Sequence, residues 1–467
     1  MLFLSGQPKQ DERGYIMKQT FSYSEKIRSF FMILLPVLAT QLSLEAIPFF
    51  GTIMAGQASP QDLVGVAAGS SLWVPVFVGL CGILAAIVPL VAHLLGAQKH
   101  EKVAPTVIQG LYLAILLSGI VILVGFFLAP IILHYTQLEP KANDAALGYL
   151  KGIAWGVPFL FLYTVLRSFM DGLGMTQKTM WVTFSVIPIN GFFNWVLIEG
   201  RLGFPAYGGA GAGWAATFTY IFLLGFALFM VATQKKLKAY PLLKNWPAPS
   251  LKAFKEQLAI GLPIGFAIFC EVSIFCVVTL LMSSYGTLIM AGHQSAMNFS
   301  GLLYMLPLSI SNTLTIIIGY EVGAKRYQDA NKYSIIGMTF AFAIGLFFTF
   351  GIYQYQDQVA LLYSKDTSTL AEILKFMVYA RFFLLVDAIA APIQGILRGY
   401  KDVRVTFFLA IFSYWIVGIP VGWFLAHNTH WGPFGYWIGL VSGLAAGAIG
   451  LSVRLWFIRK KYKSISN

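Results

Sequence analysis

The chain has 467 residues, 58% of them hydrophobic and only 11% charged, with 39 Phe, 22 Tyr and 11 Trp. Soluble domains carry about 25% charged residues, so this composition excludes an ordinary water-soluble protein and indicates a polytopic membrane protein. A net charge of +13 would suit a nucleic-acid binder in a soluble chain; here the basic residues stand in short loops between apolar runs, so they are topology signals and no nucleic-acid partner is expected.

Residues 1–27 form a polar segment without the pattern of a signal peptide, and Met17 is a second candidate start that would leave 1–16 as a leader. Apolar segments follow near 30–54, 63–92, 104–133, 147–168, 179–198 and 208–233, giving an N-terminal lobe over 28–233. A basic linker with three prolines, 234–256, is expected to lie along the cytoplasmic surface. Segments near 257–283, 288–320, 333–356, 376–397, 405–426 and 434–458 make a C-terminal lobe over 257–459, with 460–467 as a tail. At about 1.5 Å of rise per residue these runs cross a hydrocarbon layer of about 30 Å. They are too long for barrel strands, and only helices or closed barrels satisfy a spanning backbone. The expected fold is therefore all-α, with twelve transmembrane helices. Pro36, Pro188, Pro263 and Pro392 are candidate breakers within them, and a kink is expected beside Asp387, five residues before Pro392.

The N-terminus, the even-numbered loops, the linker and the C-terminus together hold 26 Lys and Arg, against three in the odd-numbered loops. Basic loops stay in the cytoplasm, which puts both termini and the linker there.

The chain also repeats itself. Leu35-Pro36 recurs as Leu262-Pro263 and LGAQKHEKV (95–103) as VGAKRYQDA (322–330), both at an offset of 227; LRSFMDGLGMT (166–176) recurs as LRGYKDVRVT (397–406) at 231. Six helices per copy, an even number, make two parallel repeats related by a pseudo-two-fold axis along the membrane normal, with a substrate site expected between them near the midplane.

Few ionisable groups lie deep: Glu45, Glu271, Asp387 and Arg381. Glu271 is the single charge in the run 258–282, and a charge at the bilayer centre costs about 2.5–3.5 kcal/mol on insertion scales. Such a residue either faces a partner or a wet cavity as a cation site, or is a hydrogen-bonded structural Glu between helices. Arg381 and Asp387, six residues apart, stand about 240° round a helix from one another, so no local ion pair neutralises Asp387. Two acids in a dry site can exchange a proton, Na⁺ or an organic cation, because the bound species compete for one negative charge. Asn190 and Asn194 share a helix face, as cavity ligands or as interhelical glue. The GGAGAGW run at 208–214 reads as small-residue helix packing. Cys81, Cys270 and Cys276 have no metal or disulfide spacing. No Walker A loop, nucleophile elbow or HExxH occurs, so an enzyme is not expected and no cofactor is called for beyond a coupling ion.

The segments 35–56, 187–195, 262–278, 291–307 and 386–404 resemble the NorM branch of the multidrug and toxic compound extrusion family, and the likeness spans essentially the whole chain. The resemblance implies a monomeric exporter of the bacterial inner membrane, exchanging Na⁺ or H⁺ for cationic lipophilic molecules from a cavity between its lobes. It also implies that Glu271 and Asp387 are the C-lobe cation-coupling acids, holding Na⁺ if that is the ion, and that Asn190 and Asn194 are the fifth-span asparagines. Two positions depart from the pattern. Gly51 stands in FFGTIMAG where the family commonly has Asp, with Glu45 six residues earlier as a displaced charge and candidate cavity residue, and Phe383 stands where a tyrosine precedes the tenth-span Asp. A lipid-linked oligosaccharide flippase of the same architecture is the alternative, and it would want a strongly cationic cavity; three deep acids to one Arg argue against it.

Overall fold

The computed structural model describes residues 17–135, 138–242 and 246–466; residues 1–16 of the expected leader and 243–245 of the linker lie outside them. Among the described residues all regular structure is helical. Twelve helical stretches are long and apolar enough to cross a membrane: Tyr23–Ala58, Pro60–Gly96, His100–Tyr135, Pro140–Gly172, Thr176–Glu199, Gly209–Thr233, Leu251–Tyr285, Thr287–Gly323, Tyr327–Tyr363, Thr367–Gly399, Val403–Asn428 and Phe434–Ser464. They are called the first to twelfth spans below. Several run past the expected boundaries because polar residues cap them beyond the apolar stretch. Ser22 accepts from Glu25 N at 3.1 Å while Glu25 accepts from Phe21 N at 2.8 Å, so the first helix begins inside segment 1–27. Ser250 caps the seventh span inside the linker, and the last helix continues to Ser466 through the expected tail.

Among the described residues the ninth span kinks at Tyr355 with no proline nearby, and three spans break three or four residues before a proline. The first breaks at Glu45 ahead of Pro48, the second at Ala85-Ala86 ahead of Pro89, and the fifth at Ser185 ahead of Pro188. A proline cannot donate to the carbonyl four residues back, and its ring crowds that carbonyl. Pro36, Pro263 and Pro392 instead lie inside uninterrupted helices, so no break stands beside Asp387. The eleventh span carries a π-helical turn, Phe412–Gly418, just ahead of Pro420.

The repeat is more regular than its letters. The second and eighth spans end at Gly96 and Gly323, the fourth and tenth at Gly172 and Gly399, and the left-handed residues Gln98 and Lys325, Gly174 and Lys401, close the turns after them. Every one of these pairs is 227 residues apart, so the offset of 231 read from LRSFMDGLGMT is a slip of four residues. Arg167 and Asp171 correspond to Gln394 and Arg398.

Small residues set the packing. Thr217 donates to Gly152 O at 2.6 Å where the fourth and sixth spans touch, and a Cβ on Gly152 would come within 2.7 Å of Gly213 C, which is the role expected of the 208–214 run. Between the lobes, Gly82 of the second span lies against Gly265 of the seventh, and Gly96 against Tyr320 of the eighth. His93 Nε2 donates to Gly399 O at 2.7 Å. Lys26 of the first span, wholly buried, reaches Asp329 of the ninth at 3.0 Å, and Thr20 bonds Tyr333 at 2.9 Å. These contacts gather toward the ends of the spans that carry the basic loops. The linker is pinned there as well: Gln109 of the third span donates to Ala248 O at 2.8 Å and accepts from Ser250 N at 2.9 Å.

Candidate functional site

Between the lobes lies a cavity of about 430 Å³. The first, second and fourth spans wall it on one side and the seventh, eighth and tenth on the other. Most of the wall is apolar, with Phe275, Met297 and Phe383 on the C-lobe side. Phe383 packs edge-on to Phe275 at 5.6 Å between ring centres, so the position that the family resemblance gives to a tyrosine supplies a ring edge here and no oxygen.

Glu271, midway along the seventh span, is on this wall. It accepts from Tyr304 Oη of the eighth span at 3.2 Å. Behind it, inside the C-lobe, a second pocket of about 10 Å³, roughly one water's worth, touches Glu271, Gln394, Ser413 and Tyr414. Asp387 is 3% exposed, lies within electrostatic reach of Glu271 and Tyr414, and has one oxygen, Oδ2, without a hydrogen-bond partner. Ser413 Oγ is likewise unpartnered. Glu271 thus stands between the large cavity and a knot of hard oxygen donors, of the kind that suits a proton or a small alkali cation. Among the described residues no group of three His, Cys, Asp or Glu is placed to hold a metal ion.

The other expected cavity residues lie elsewhere. Glu45 is exposed at the break of the first span and is off the cavity wall, which takes Val37 and Gln41 from that span. Asn190 and Asn194 are buried inside the N-lobe, also off the wall. Asn190 donates to Thr219 of the sixth span at 3.0 Å, a bond between helices, and Asn194 donates to Asn190 O and Oδ1 at 2.8 and 2.9 Å within the fifth. Arg381 rests on the rings of Tyr353 and Phe382, away from Asp387.

Three charged wall residues were not among the deep groups expected: Arg167, Asp171 and Arg398. They sit near helix ends in the sequence, but helical side chains lean back toward the N-terminus of their helix, here into the membrane. Arg167 donates to Gln41 Oε1 at 2.6 Å and pairs with Asp171 at 3.5 Å. The wall therefore holds two acids and two arginines, in place of three acids and one arginine.

Twelve membrane-length helices around a mixed-charge cavity, together with the family and relatives that follow, indicate a membrane transporter rather than an enzyme. The chain belongs to the MatE family, whose sequence pattern matches it twice, at residues 36–196 and 263–424. It is 49% identical over 447 residues to a probable multidrug resistance protein NorM of Halalkalibacterium halodurans, covering 96% of this chain and 98% of that one. It is 48% identical to the protein of the same description in Bacillus subtilis, over 96% of this chain and 99% of that one. Among solved structures, its fold resembles the eukaryotic MATE transporter AtDTX14, with a TM-score of 0.85 at 17% identity over 94% of this chain and 98% of that one. It also resembles a MOP superfamily transporter from Pyrococcus furiosus, with a TM-score of 0.84 at 17% identity over 96% of this chain and all of that one.

Proposed function

We propose that the chain is a secondary multidrug exporter that takes up Na⁺ or H⁺ in exchange for cationic lipophilic molecules. The observation that carries this reading is the position of Glu271, a carboxylate shared between the interlobe cavity and the oxygen-rich interior next to Asp387. A cation arriving there competes with a cationic substrate for the same charge, and competition of this kind is what antiport requires. The multidrug resistance names of the two bacterial relatives support the reading of a multidrug exporter.

The protein is read as a monomer of the bacterial inner membrane with both termini in the cytoplasm. On that orientation the joined ends of the lobes close the cytoplasmic side. Export then alternates this arrangement with one in which the His93–Gly399 and Lys26–Asp329 contacts part. The bound ion must favour one arrangement by its difference in affinity, since equal affinity for both shifts nothing. The flippase alternative is disfavoured by a wall whose arginines are matched by acids. Everted vesicles carrying the protein, given a fluorescent organic cation with Na⁺ and pH gradients imposed separately, test the proposal. One of the two gradients should drive uptake, and Glu271→Gln should abolish the response. Uptake indifferent to both gradients, or Glu271→Gln vesicles that match wild type, would overturn it.

A further inference from the structure

Arg454 and Arg459 stand five residues apart near the end of the twelfth span, and they turn the same edge of the guanidinium, Nε with Nη2, to different partners. In Arg454 that edge grips the two oxygens of Asp402, at 2.6 and 3.0 Å. In half-buried Arg459 it meets a thioether: Nη2 lies 3.5 Å from Met338 Sδ of the ninth span, and Nε is buried without a hydrogen-bond partner. A thioether is a weak acceptor, and a cation drawn out of water without a counter-ion is costly. No acid pairs with Arg459 among the described residues. Tyr400, in the turn after the tenth span, is within its electrostatic reach, but burial pushes that phenol up to about 12, so it stays neutral and cannot balance the charge.

The ninth span offers an acceptor in the same state. Tyr327 touches Tyr462 of the twelfth span at 4.7 Å between ring centres, and Met338 touches Arg459. Asn331 lies between those contacts on the same helix face, four residues after Tyr327 and seven before Met338, and its Oδ1 is buried without a partner. The surface beside this seam suits an amphiphile. Ile449, Val453 and Trp456 are exposed along one face of the twelfth span, and the face ends on exposed Lys460, whose ammonium rests over the Trp456 ring at 5.3 Å. Tryptophan marks the level of the headgroups. Arg459 leans back toward the start of its helix, which brings its free edge to that level.

We propose that this edge binds an anionic phospholipid of the leaflet on the basic-loop side. The phosphate sits on Nε and Nη2 of Arg459, Lys460 adds a second positive charge, and an acyl chain runs along Trp456, Val453 and Ile449. Met338, unbranched and flexible, swings aside for the phosphate. A guanidinium edge takes a phosphate as it takes a carboxylate, through two parallel N–H···O bonds, and basic pockets between spans suit such headgroups. Neither Arg459 nor Met338 lines the interlobe cavity, so the site is independent of what that cavity carries.

The test is thermal unfolding of the full-length protein in detergent micelles titrated with dioleoylphosphatidylglycerol or with dioleoylphosphatidylcholine, which has the same chains and phosphate but no net charge. Wild type should be stabilised at lower mole fractions of the glycerol lipid. In Arg459→Gln the ratio of the two apparent affinities should fall about tenfold or more, the scale of a lost charge-assisted hydrogen bond. Lys102→Gln, on the basic side of the other lobe, gives the scale of plain surface attraction and should change the ratio by less than about fivefold. Met338→Glu keeps the arginine and gives its edge an internal carboxylate. It should erase the preference while the lipid-free protein melts no lower, and it decides the matter if Arg459→Gln does not fold. A ratio unchanged in Arg459→Gln, or a preference kept in Met338→Glu, overturns the inference, as does an equal fall in Lys102→Gln. Inorganic phosphate that abolishes the preference when chloride of equal ionic strength does not also overturns it, since the edge would then be a site for a free anion.

Discussion

Gly51 lies against the free amide oxygen of Asn194: a Cβ placed on Gly51 would stand 4.0 Å from Asn194 Oδ1 and 3.5 Å from Ala212 Cβ. Asn194 Oδ1 has no hydrogen-bond partner, and Gly51 carries no side chain that could donate to it. The contacts a methyl group would make are ordinary ones. Gly51→Ala in the helix Ala46–Ala58 should therefore stabilise the protein by about 0.5–1 kcal/mol, because alanine loses less backbone freedom on folding. Thermal unfolding in detergent should rise slightly, and ion-driven efflux should keep its wild-type rate. A marked fall in efflux would show that the spot takes part in coupling.

Asp387 is the complementary case, a buried acid with one oxygen unengaged. If that oxygen serves a passing cation, Asp387→Asn should cut gradient-driven efflux by more than about tenfold while the unfolding temperature holds or rises. A large drop in unfolding temperature with coupling intact would reassign the residue to structure.

Lys26 and Asp329 join the lobes with unequal burial, 0% and 19% exposed, and Asp329 has Lys332 in reserve at 3.7 Å. Removing the acid leaves a wholly enclosed ammonium, whereas removing the lysine leaves a carboxylate near water. Asp329→Asn should thus cost about 3–5 kcal/mol and Lys26→Met distinctly less. Denaturant melts of the two variants give the order, and equal losses would contradict it.

Lys401 sits in the turn after the tenth span, with a left-handed backbone at φ 60°. Burial lowers its ammonium from 10.5 to about 8, with Glu256 pulling weakly the other way. Between those values the unfolded chain holds a proton that the folded chain has shed, so stability should rise as pH climbs through that window. Lys401→Gly should flatten the rise, and it should raise the unfolding temperature at neutral pH by also relieving the backbone, as at the matching Gly174. Parallel pH-dependent melts of both proteins measure this.

The spans were legible because lipid leaves a backbone few options, and Glu271 because a lone charge in the middle of an apolar run has few reasons to be there. Arg398 was not legible. Near a helix end a basic residue ordinarily faces water, and nothing in the letters says that its side chain leans back into a cavity. The register of the repeat misled for a related reason. A slip of four residues is close to one helical turn, so LRSFMD and LRGYKD match while keeping nearly the same face; only the helix ends and the left-handed turn residues reveal 227. Glu45 reads as a displaced cavity acid in the sequence, whereas the first span gives the wall Val37 and Gln41.

The bond from His93 ends on the carbonyl of Gly399, an atom every amino acid carries. No change of residue type along the tenth span can delete that acceptor. A side chain at Gly399 would meet Ile318 Cβ at 2.9 Å and could only shove the oxygen aside. Heritable tuning of this seam is accordingly one-sided: the imidazole can be exchanged outright, while its mate can merely be displaced.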